Sequence, residues 1–313
     1  MITKKFNEYN SLEPSVVTVG TFDGIHLGHQ DIIKKLEEVS KSKKLKSIVL
    51  SFSPHPKIVL QNNSDIMLLN SIDEKVDVLN KYNVDYFLIK EFTIDFSRLT
   101  ALEFVRDILV NKLNAKHIIV GYDHHFGRNR DANIIQLQEY GDLYEFDVTE
   151  ISPIKLNGVS ISSTKIRDLI LNGNIELANK YLNNYYMITG IVVKGMGRGK
   201  HLGFATANIN IIDNNKLIPK NGVYIVASKI DSKIYYGMMN IGDNPTFEDK
   251  NKSIEIHFFD LDYNIYDKKI TINILNRIRD EKKFKSPELL IEQLKIDKDY
   301  CLKYIDKNTI EVG

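Results

Sequence analysis

One cysteine, Cys301, is all the thiol that this 313-residue chain carries. That excludes an intrachain disulfide, leaves no basis for a cysteine-built metal site, and suits a reducing compartment. No stretch approaches the roughly 20 consecutive apolar residues that cross a bilayer. Residues Met1 to Asn10 are polar and lysine-bearing and lack the apolar core of a secretory leader. Neither sign of charge is in excess. The 42 Lys and Arg residues against 41 Asp and Glu leave +1 with histidine neutral, so no attraction to nucleic acid or membrane is expected. Internal repeats and low-complexity tracts are absent. What is present is an ordinary globular composition, 43% hydrophobic and 27% charged. The chain is read as a cytoplasmic protein, long enough for two domains of roughly 150 residues each.

Periodicity divides the chain near residue 184. Before it, apolar runs at 15–20, 46–52, 84–89, 117–121 and 143–148 alternate with helical-period segments at 30–40, 73–81, 101–112 and 133–139. Such alternation predicts a parallel sheet with helices on both faces. Two further helices are expected at 164–171 and Ile175–Leu182, the first capped by Ser162 or Ser163 and stopped by Gly173. From residue 185 the pattern turns to short β-rich runs at 186–193, 223–228, 234–240, 254–259 and 270–275, separated by Gly, Asn, Asp and Pro. Runs of that spacing predict a small antiparallel barrel or sandwich. An amphipathic helix over 287–304 is expected to close the chain, with Leu289, Leu290, Leu294 and Leu302 as its apolar anchors. The fold class is α/β followed by β, with domains at 1–184 and 185–313.

The first chemical signal is the run Gly20-Thr21-Phe22-Asp23-Gly24-Ile25-His26-Leu27-Gly28-His29. Val16-Val17-Thr18-Val19 before it is a buried-strand pattern, and Ile32, Ile33, Leu36 and Val39 after it have helical period. The run therefore sits on a strand-to-helix turn, where open α/β sheets bind ligands. The first helical N–H groups there favour an anion, and glycine lets the backbone approach a phosphate. His26 and His29 can donate to phosphate oxygens as charge redistributes in a transition state. Two surface histidines on a capped turn would be the plain alternative. The joint presence of His-x-Gly-His, Asp23 and the strand–helix context favours phosphate chemistry.

Three more segments are expected to converge on that turn: Phe52-Ser53-Pro54-His55-Pro56, Gly121-Tyr122-Asp123-His124-His125-Phe126-Gly127, and Ile161-Ser162-Ser163-Thr164-Lys165-Ile166-Arg167. The last joins hydroxyls, helix N–H donors and two cations, a set suited to a triphosphate; taken alone, a plain helix cap is the favoured reading. His124-His125 has no third ligand at helical spacing, so a solvated loop is favoured over a metal site. In the second half, Gly195-Met196-Gly197-Arg198-Gly199-Lys200-His201-Leu202-Gly203 is a glycine-rich turn with cations. It is not a Walker A loop, because Lys194 and His201 occupy positions that need Gly and Ser or Thr.

Together these segments resemble the bacterial bifunctional riboflavin kinase/FMN adenylyltransferase (FAD synthetase) family. The likeness of the first half is to His-x-Gly-His nucleotidyltransferases. The second half matches the riboflavin kinase signature through Gly203-Phe204-Ala205-Thr206-Ala207-Asn208, Gly222-Val223-Tyr224, Asn240 to Thr246, Ile254-Glu255-Ile256-His257 and Arg279 to Phe284. The resemblance covers nearly the whole chain. It implies a Rossmann-like nucleotidyltransferase domain, then a small barrel with a terminal helix. Riboflavin would be phosphorylated by ATP to FMN and ADP, and FMN adenylylated by ATP to FAD and pyrophosphate, with Mg²⁺. His26 and His29 would act on the adenylyl group, with Gly20, Asp23, Gly28, Ser163, Thr164 and Arg167 on the nucleotide and Asp123 positioning flavin. Glu255 would be the kinase base, with Thr206 and Asn208 on the metal. Gly195, Arg198, Lys200 and Gly203 would lie on ATP phosphates and Arg279 near flavin. A monomer or weak homo-oligomer is expected.

The chain departs from the family at three places: it has His124 where an aromatic is usual, Asp131 where Gly is usual, and Ala205 where Pro is usual. Other readings are a single-function member, a cytidylyltransferase using the same turn, and a flavin-binding regulator without turnover. Ala reaches the φ that Pro fixes but leaves the free loop more mobile, by about 0.4–1 kcal/mol of entropy. Ala205→Pro is therefore expected to retain riboflavin phosphorylation; a large loss would show that this loop is not in the family geometry.

Overall fold

The computed structural model describes residues 1–61, 66–156, 158–195, 203–243 and 252–310. They form two compact units, one of residues 1–67 and 72–163 and the other of residues 68–71 and 164–313.

The first unit is built on strands β1 Ile2–Lys5, β2 Ser15–Val19, β3 Lys46–Ser53, β4 Tyr86–Glu91, β5 Ala115–Gly121 and β6 Asp147–Ile151. Their lateral order is β1-β4-β3-β2-β5-β6, and every pairing is parallel. β2 is buried at every residue, as its Ser-Val-Val-Thr-Val sequence demands of a strand covered on both faces. The chain leaves β2 toward β3 on one side, while β5 lies on the other. That reversal opens a crevice at the carboxyl ends of β2 and β5, where the His-x-Gly-His turn follows β2. The helix Leu27–Lys43 buries Ile33, Leu36 and Val39 and ends at Lys44 in the left-handed region. Below the sheet surface Val17, Val19, Leu50, Leu88, Ile118 and Val120 share one core with Leu109 and Leu113. β7 Lys155–Leu156 and β8 Val159–Ser160 form a short antiparallel arm.

Two expectations shift here. The run expected as a strand near 143–148 splits: Leu143 and Tyr144 end the helix Ile134–Tyr144, Glu145 turns at φ 58°, and the strand is Asp147–Ile151. β1 went unread because it is an exposed edge strand with no apolar alternation.

The second unit is a closed barrel of β9 Tyr186–Val193, β10 Ala207–Ile211, β11 Gly222–Ile230, β12 Lys233–Asp243, β13 Lys252–Phe258 and β14 Lys269–Arg279, in the order β10-β13-β12-β11-β14-β9. All pairings are antiparallel. β10 lies in a stretch read from sequence as a motif rather than as a strand. The helix Ile175–Leu182 belongs to this unit. Its Asn179 amide donates to the carbonyls of Ile274 and Leu275 at 3.0 and 3.2 Å and accepts from Tyr186 N–H at 2.8 Å. Residues Leu68–Ser71 also belong here: Leu68 exchanges backbone bonds with Asn215 and Leu217, and buried Lys216 donates to the Leu69 carbonyl while lying 4.5 Å from the Tyr186 ring centre.

The last helix, Pro287–Lys307, is capped by Ser286 and packs Ile291, Leu294, Cys301, Tyr304 and Ile305 on the barrel. Of the four expected anchors, Leu294 holds this position, whereas Leu289 and Leu302 are 48% and 39% exposed. The buried stripe runs through 294, 297, 301 and 304–305, and those two leucines fall beside it. Asp297, 1% exposed, lies on that stripe and receives Arg279 through Nε at 3.0 Å and Nη2 at 2.6 Å, with Gln293 adding 2.9 Å. Removing one partner of such a pair strands the other in a dry site, at about 3–5 kcal/mol. Asp297→Ala is expected to lower the barrel's unfolding free energy by about 3 kcal/mol in urea titrations; an unchanged midpoint would show that the pair does not hold the helix.

Candidate active sites

The turn after β2 is held in an uncommon backbone path. Phe22, Gly24 and Ile25 all have positive φ, at 47°, 89° and 38°. For Phe and Ile that conformation costs roughly 1–2 kcal/mol each and persists only where packing enforces it. Here Phe22 is 2% exposed and Ile25 fully buried. The Gln30 side chain also donates to the Ile25 carbonyl at 2.8 Å, and Ser163 Oγ donates to the Asp23 carbonyl at 2.8 Å. Thr21 carbonyl oxygen accepts from Ser51 Oγ at 3.1 Å and from Lys75 Nζ at 2.8 Å.

His26 is the N-cap of the following helix, yet its side chain makes no cap bond. Instead its ring stacks on that of His29, with centres 3.8 Å apart and planes 16° from parallel, while Phe22 meets His29 edge-on at 5.2 Å. Gly28 and Gly20 keep this packing uncrowded: a Cβ would lie 3.3 Å from the His26 ring at Gly28 and 3.2 Å from the Phe22 ring at Gly20, close enough that either ring must give by a few tenths of an ångström. Burial pushes His26 down to about 4 against the pull of Asp23 and Asp123. His29 is pushed well below 6.5 by burial, then by its neighbours His26 and Lys75. Both rings are therefore neutral near pH 7. Nδ1 of each is buried and lacks a hydrogen-bond partner. Two orphaned ring nitrogens beside uncapped helical N–H groups form a site arranged for an oxygen-rich anion.

Of the three segments expected to converge on the turn, two are tied to it, through Asp123 and through Ser163. Asp123 follows β5, exposed and near enough to raise the His26 pKa. His124 stacks on Phe126 at 5.7 Å and is held neutral by burial, with its pKa pushed down to about 4, so it supplies the aromatic face usual at this position. Asp131 has φ −77°, a conformation open to any residue, so its backbone does not require Gly. His55 caps the helix Pro56–Leu60 by accepting from Lys57 N–H at 3.2 Å. Thr164 and Arg167 follow Ser163 along the helix Ser163–Leu171. Among the described residues no cluster of three or more His, Cys, Asp or Glu residues is arranged to hold a metal.

The barrel carries a second polar group. Along β13, Ile254, Ile256 and Phe258 are buried, so Glu255 stands on the opposite face. Asn208 of β10 lies directly across from it on one side and Asn240 of β12 on the other. Thr206 Oγ1 donates to Glu255 Oε2 at 3.3 Å. The Thr206 hydroxyl, the Asn208 amide oxygen and the adjoining carboxylate are hard oxygen donors and fit Mg²⁺ by chemistry. Gly195 is constrained by the same group, because its Cβ would lie 2.6 Å from Asn208 Cγ. The Ala205 carbonyl is tied to His257 Nδ1 at 2.9 Å. Gly203 has φ 80°. Arg198 and Lys200, and the run from Asn244 to Thr246, lie outside the described residues. Each guanidinium nitrogen of Arg279 already has a protein oxygen, on Asp297 or on the Asp280 carbonyl. Sequence reading missed Lys75, whose signal is a cation on the same helical face as buried Val78 and Leu79.

These two constellations define the class: a dinucleotide-fold nucleotidyltransferase with a His-x-Gly-His turn, continued by a flavokinase-type barrel. Residues 8–165 match the family model for FAD synthetase, and residues 182–305 that for riboflavin kinase. Bifunctional riboflavin kinase/FMN adenylyltransferases are 38% identical in Buchnera aphidicola, over 93% of this chain and 94% of that one, and 34% identical in Escherichia coli K12, over 91% of each. The crystal structure of a macrolide-efflux protein from Streptococcus pneumoniae superposes with TM-score 0.88 and 32% identity, covering 96% of this chain and 98% of that one. Among the described residues no helix is long and apolar enough to cross a membrane. The chain belongs to the bifunctional riboflavin kinase/FMN adenylyltransferase family.

The neutral state of His26 sets a pH dependence. Its folded pKa, about 4, lies below the ordinary 6.5, so the unfolded chain binds the proton first on acidification. The stability from keeping this ring neutral is complete above pH 6.5 and is lost as pH falls toward 4, by about 3 kcal/mol. Denaturant titrations of the wild type and His26→Asn across this range are expected to show a shallower acid slope in the variant.

Proposed function

We propose that this chain makes FAD from riboflavin in two ATP-consuming steps, the barrel working first and the turn after β2 second. The observation that carries this reading is that one chain holds both a neutral, stacked histidine pair with orphaned Nδ1 atoms at the sheet's switch point and a Thr–Glu–Asn oxygen cluster on a closed barrel. The functional boundary is taken at residue 184, with riboflavin, FMN, FAD, ATP, ADP and pyrophosphate as the molecules handled. A cytoplasmic location, supported by the single cysteine, and a monomer or weak homo-oligomer complete the reading.

In the kinase step the nucleophile is a ribityl hydroxyl, which must lose a proton as it attacks the γ-phosphorus of ATP. Glu255 is the acceptor, and the Thr206 hydroxyl orients its carboxylate. Thr206 and Asn208 are the residues that would hold Mg²⁺, which when bound offsets phosphate charge. Gly195 and Gly203, with Arg198 and Lys200, are assigned to the ATP phosphates. Arg279, held by Asp297 and the Asp280 carbonyl, is assigned to the flavin region as an anchor for the end of β14 and the last helix.

In the adenylyl step the FMN phosphate attacks the α-phosphorus of ATP and pyrophosphate leaves. That nucleophile is largely ionised near pH 7, so no base is needed. His26 and His29 donate from neutral rings to oxygens gathering charge, and Gly20, Asp23, Gly28, Ser163, Thr164 and Arg167 are assigned to the nucleotide. Asp123 positions flavin.

Incubation with riboflavin, ATP and Mg²⁺, followed by chromatography, tests both halves. His29→Ala is expected to cut FAD formation by about 100-fold or more and leave FMN accumulating. Glu255→Ala is expected to cut FMN formation by a comparable factor while added FMN is still adenylylated. Equal loss of both steps in both variants would overturn the assignment.

A further inference from the structure

Lys75 is 3% exposed, on the helix Ile72–Leu79, and its ammonium points at the backbone of the catalytic turn rather than at solvent. Its bond to the Thr21 carbonyl, 2.8 Å long, shares that oxygen with Ser51 Oγ. A trans peptide carries its C=O and N–H on opposite sides. Holding Thr21 C=O against Lys75 and Ser51 therefore turns the Phe22 N–H the other way. This is the peptide that leads into Phe22 at φ 47°, the first of the turn's unfavourable conformations. Phe22 in turn forms the wall against which His29 rests, 5.2 Å from ring to ring. Lys75 thus reaches the histidine pair through one peptide plane and one aromatic ring.

We propose that Lys75 is a positioning residue for adenylyl transfer: its ammonium fixes the Thr21–Phe22 peptide so that the Phe22 N–H is presented to a nucleotide phosphate and the Phe22 ring keeps His29 in register. Its charge also adds a fixed positive potential beneath a turn whose two histidines are neutral. The inference rests on the adenylyl-transfer reading above.

The test compares Lys75→Met, which keeps the length and apolar stem but removes charge and donors, with Lys75→Arg, which keeps charge and donors in a larger head. If the lysine only fills space, Met is the better replacement; if it positions the turn, Arg is. FAD formation from FMN is expected to rank wild type, then Lys75→Arg, then Lys75→Met. The Met variant should lose about tenfold or more in kcat, with KM for FMN changed by less than about threefold. Riboflavin phosphorylation by the same chains should stay within about twofold of wild type, since the barrel lies in the other unit. Lys75→Met at or above Lys75→Arg overturns the proposal, and so does a parallel loss of both activities in both variants. Absence of FAD formation in the wild type would instead overturn the adenylyl-transfer reading itself.

Discussion

Two imidazole rings lie face to face 3.8 Å apart, His26 buried and His29 partly so. Protonating both would place like charges together in a medium that screens them poorly, and burial alone already disfavours either charge. The pair is therefore held as uncharged donors, and the features around it serve that state. Two glycines spare the His26 and Phe22 rings a crowded Cβ contact. Phe22 seals one edge. The helix that starts at Leu27 leaves its first N–H groups open beside them. Under the proposed adenylyl transfer, an anion entering here would meet dipoles already in place, and little reorganisation would be needed as charge shifts between phosphate oxygens.

The difference between the two centres matches the different nucleophiles of the proposed steps. A phosphate arrives with its charge in place and needs alignment; a hydroxyl must be relieved of a proton. In the sheet site the buried Nδ1 atoms of His26 and His29 have no hydrogen-bond partner, whereas the barrel cluster is built around the Glu255 carboxylate. Strand alternation makes the second arrangement economical. The same strand that sends Ile254, Ile256 and Phe258 to the interior leaves Glu255 between the asparagines of its two neighbours.

Most of the architecture was legible because it follows from periodicity. Buried parallel strands read as β-branched runs, and the barrel strands alternate. Elements escaped where that signal is missing. β1 is exposed at a sheet edge, β10 was masked by a motif of small and polar residues, and the last helix is turned so that Asp297 rather than Leu302 faces the barrel. The candidate site was legible in its motif residues, because those lie consecutively. It was not legible in Lys75 or Ser51, which come from other elements and act on a backbone carbonyl that carries no sequence signature. Nor did the histidines' neutrality follow from their spacing; it is a property of depth.

The segment Leu68–Ser71 gives the chain an unusual thread. It leaves the first unit after Met67, contributes four residues to the second, and returns at Ile72, before crossing for good after Ser163. Within the second unit it brings its own hydrogen bonds and accepts the Lys216 ammonium on the Leu69 carbonyl. Three junctions, not one, then separate the two halves. A recombination event or a protein engineer cutting once near residue 184 would remove from the second unit a segment supplied more than a hundred residues earlier. In heredity as in the test tube, the pair travels most safely as a single gene.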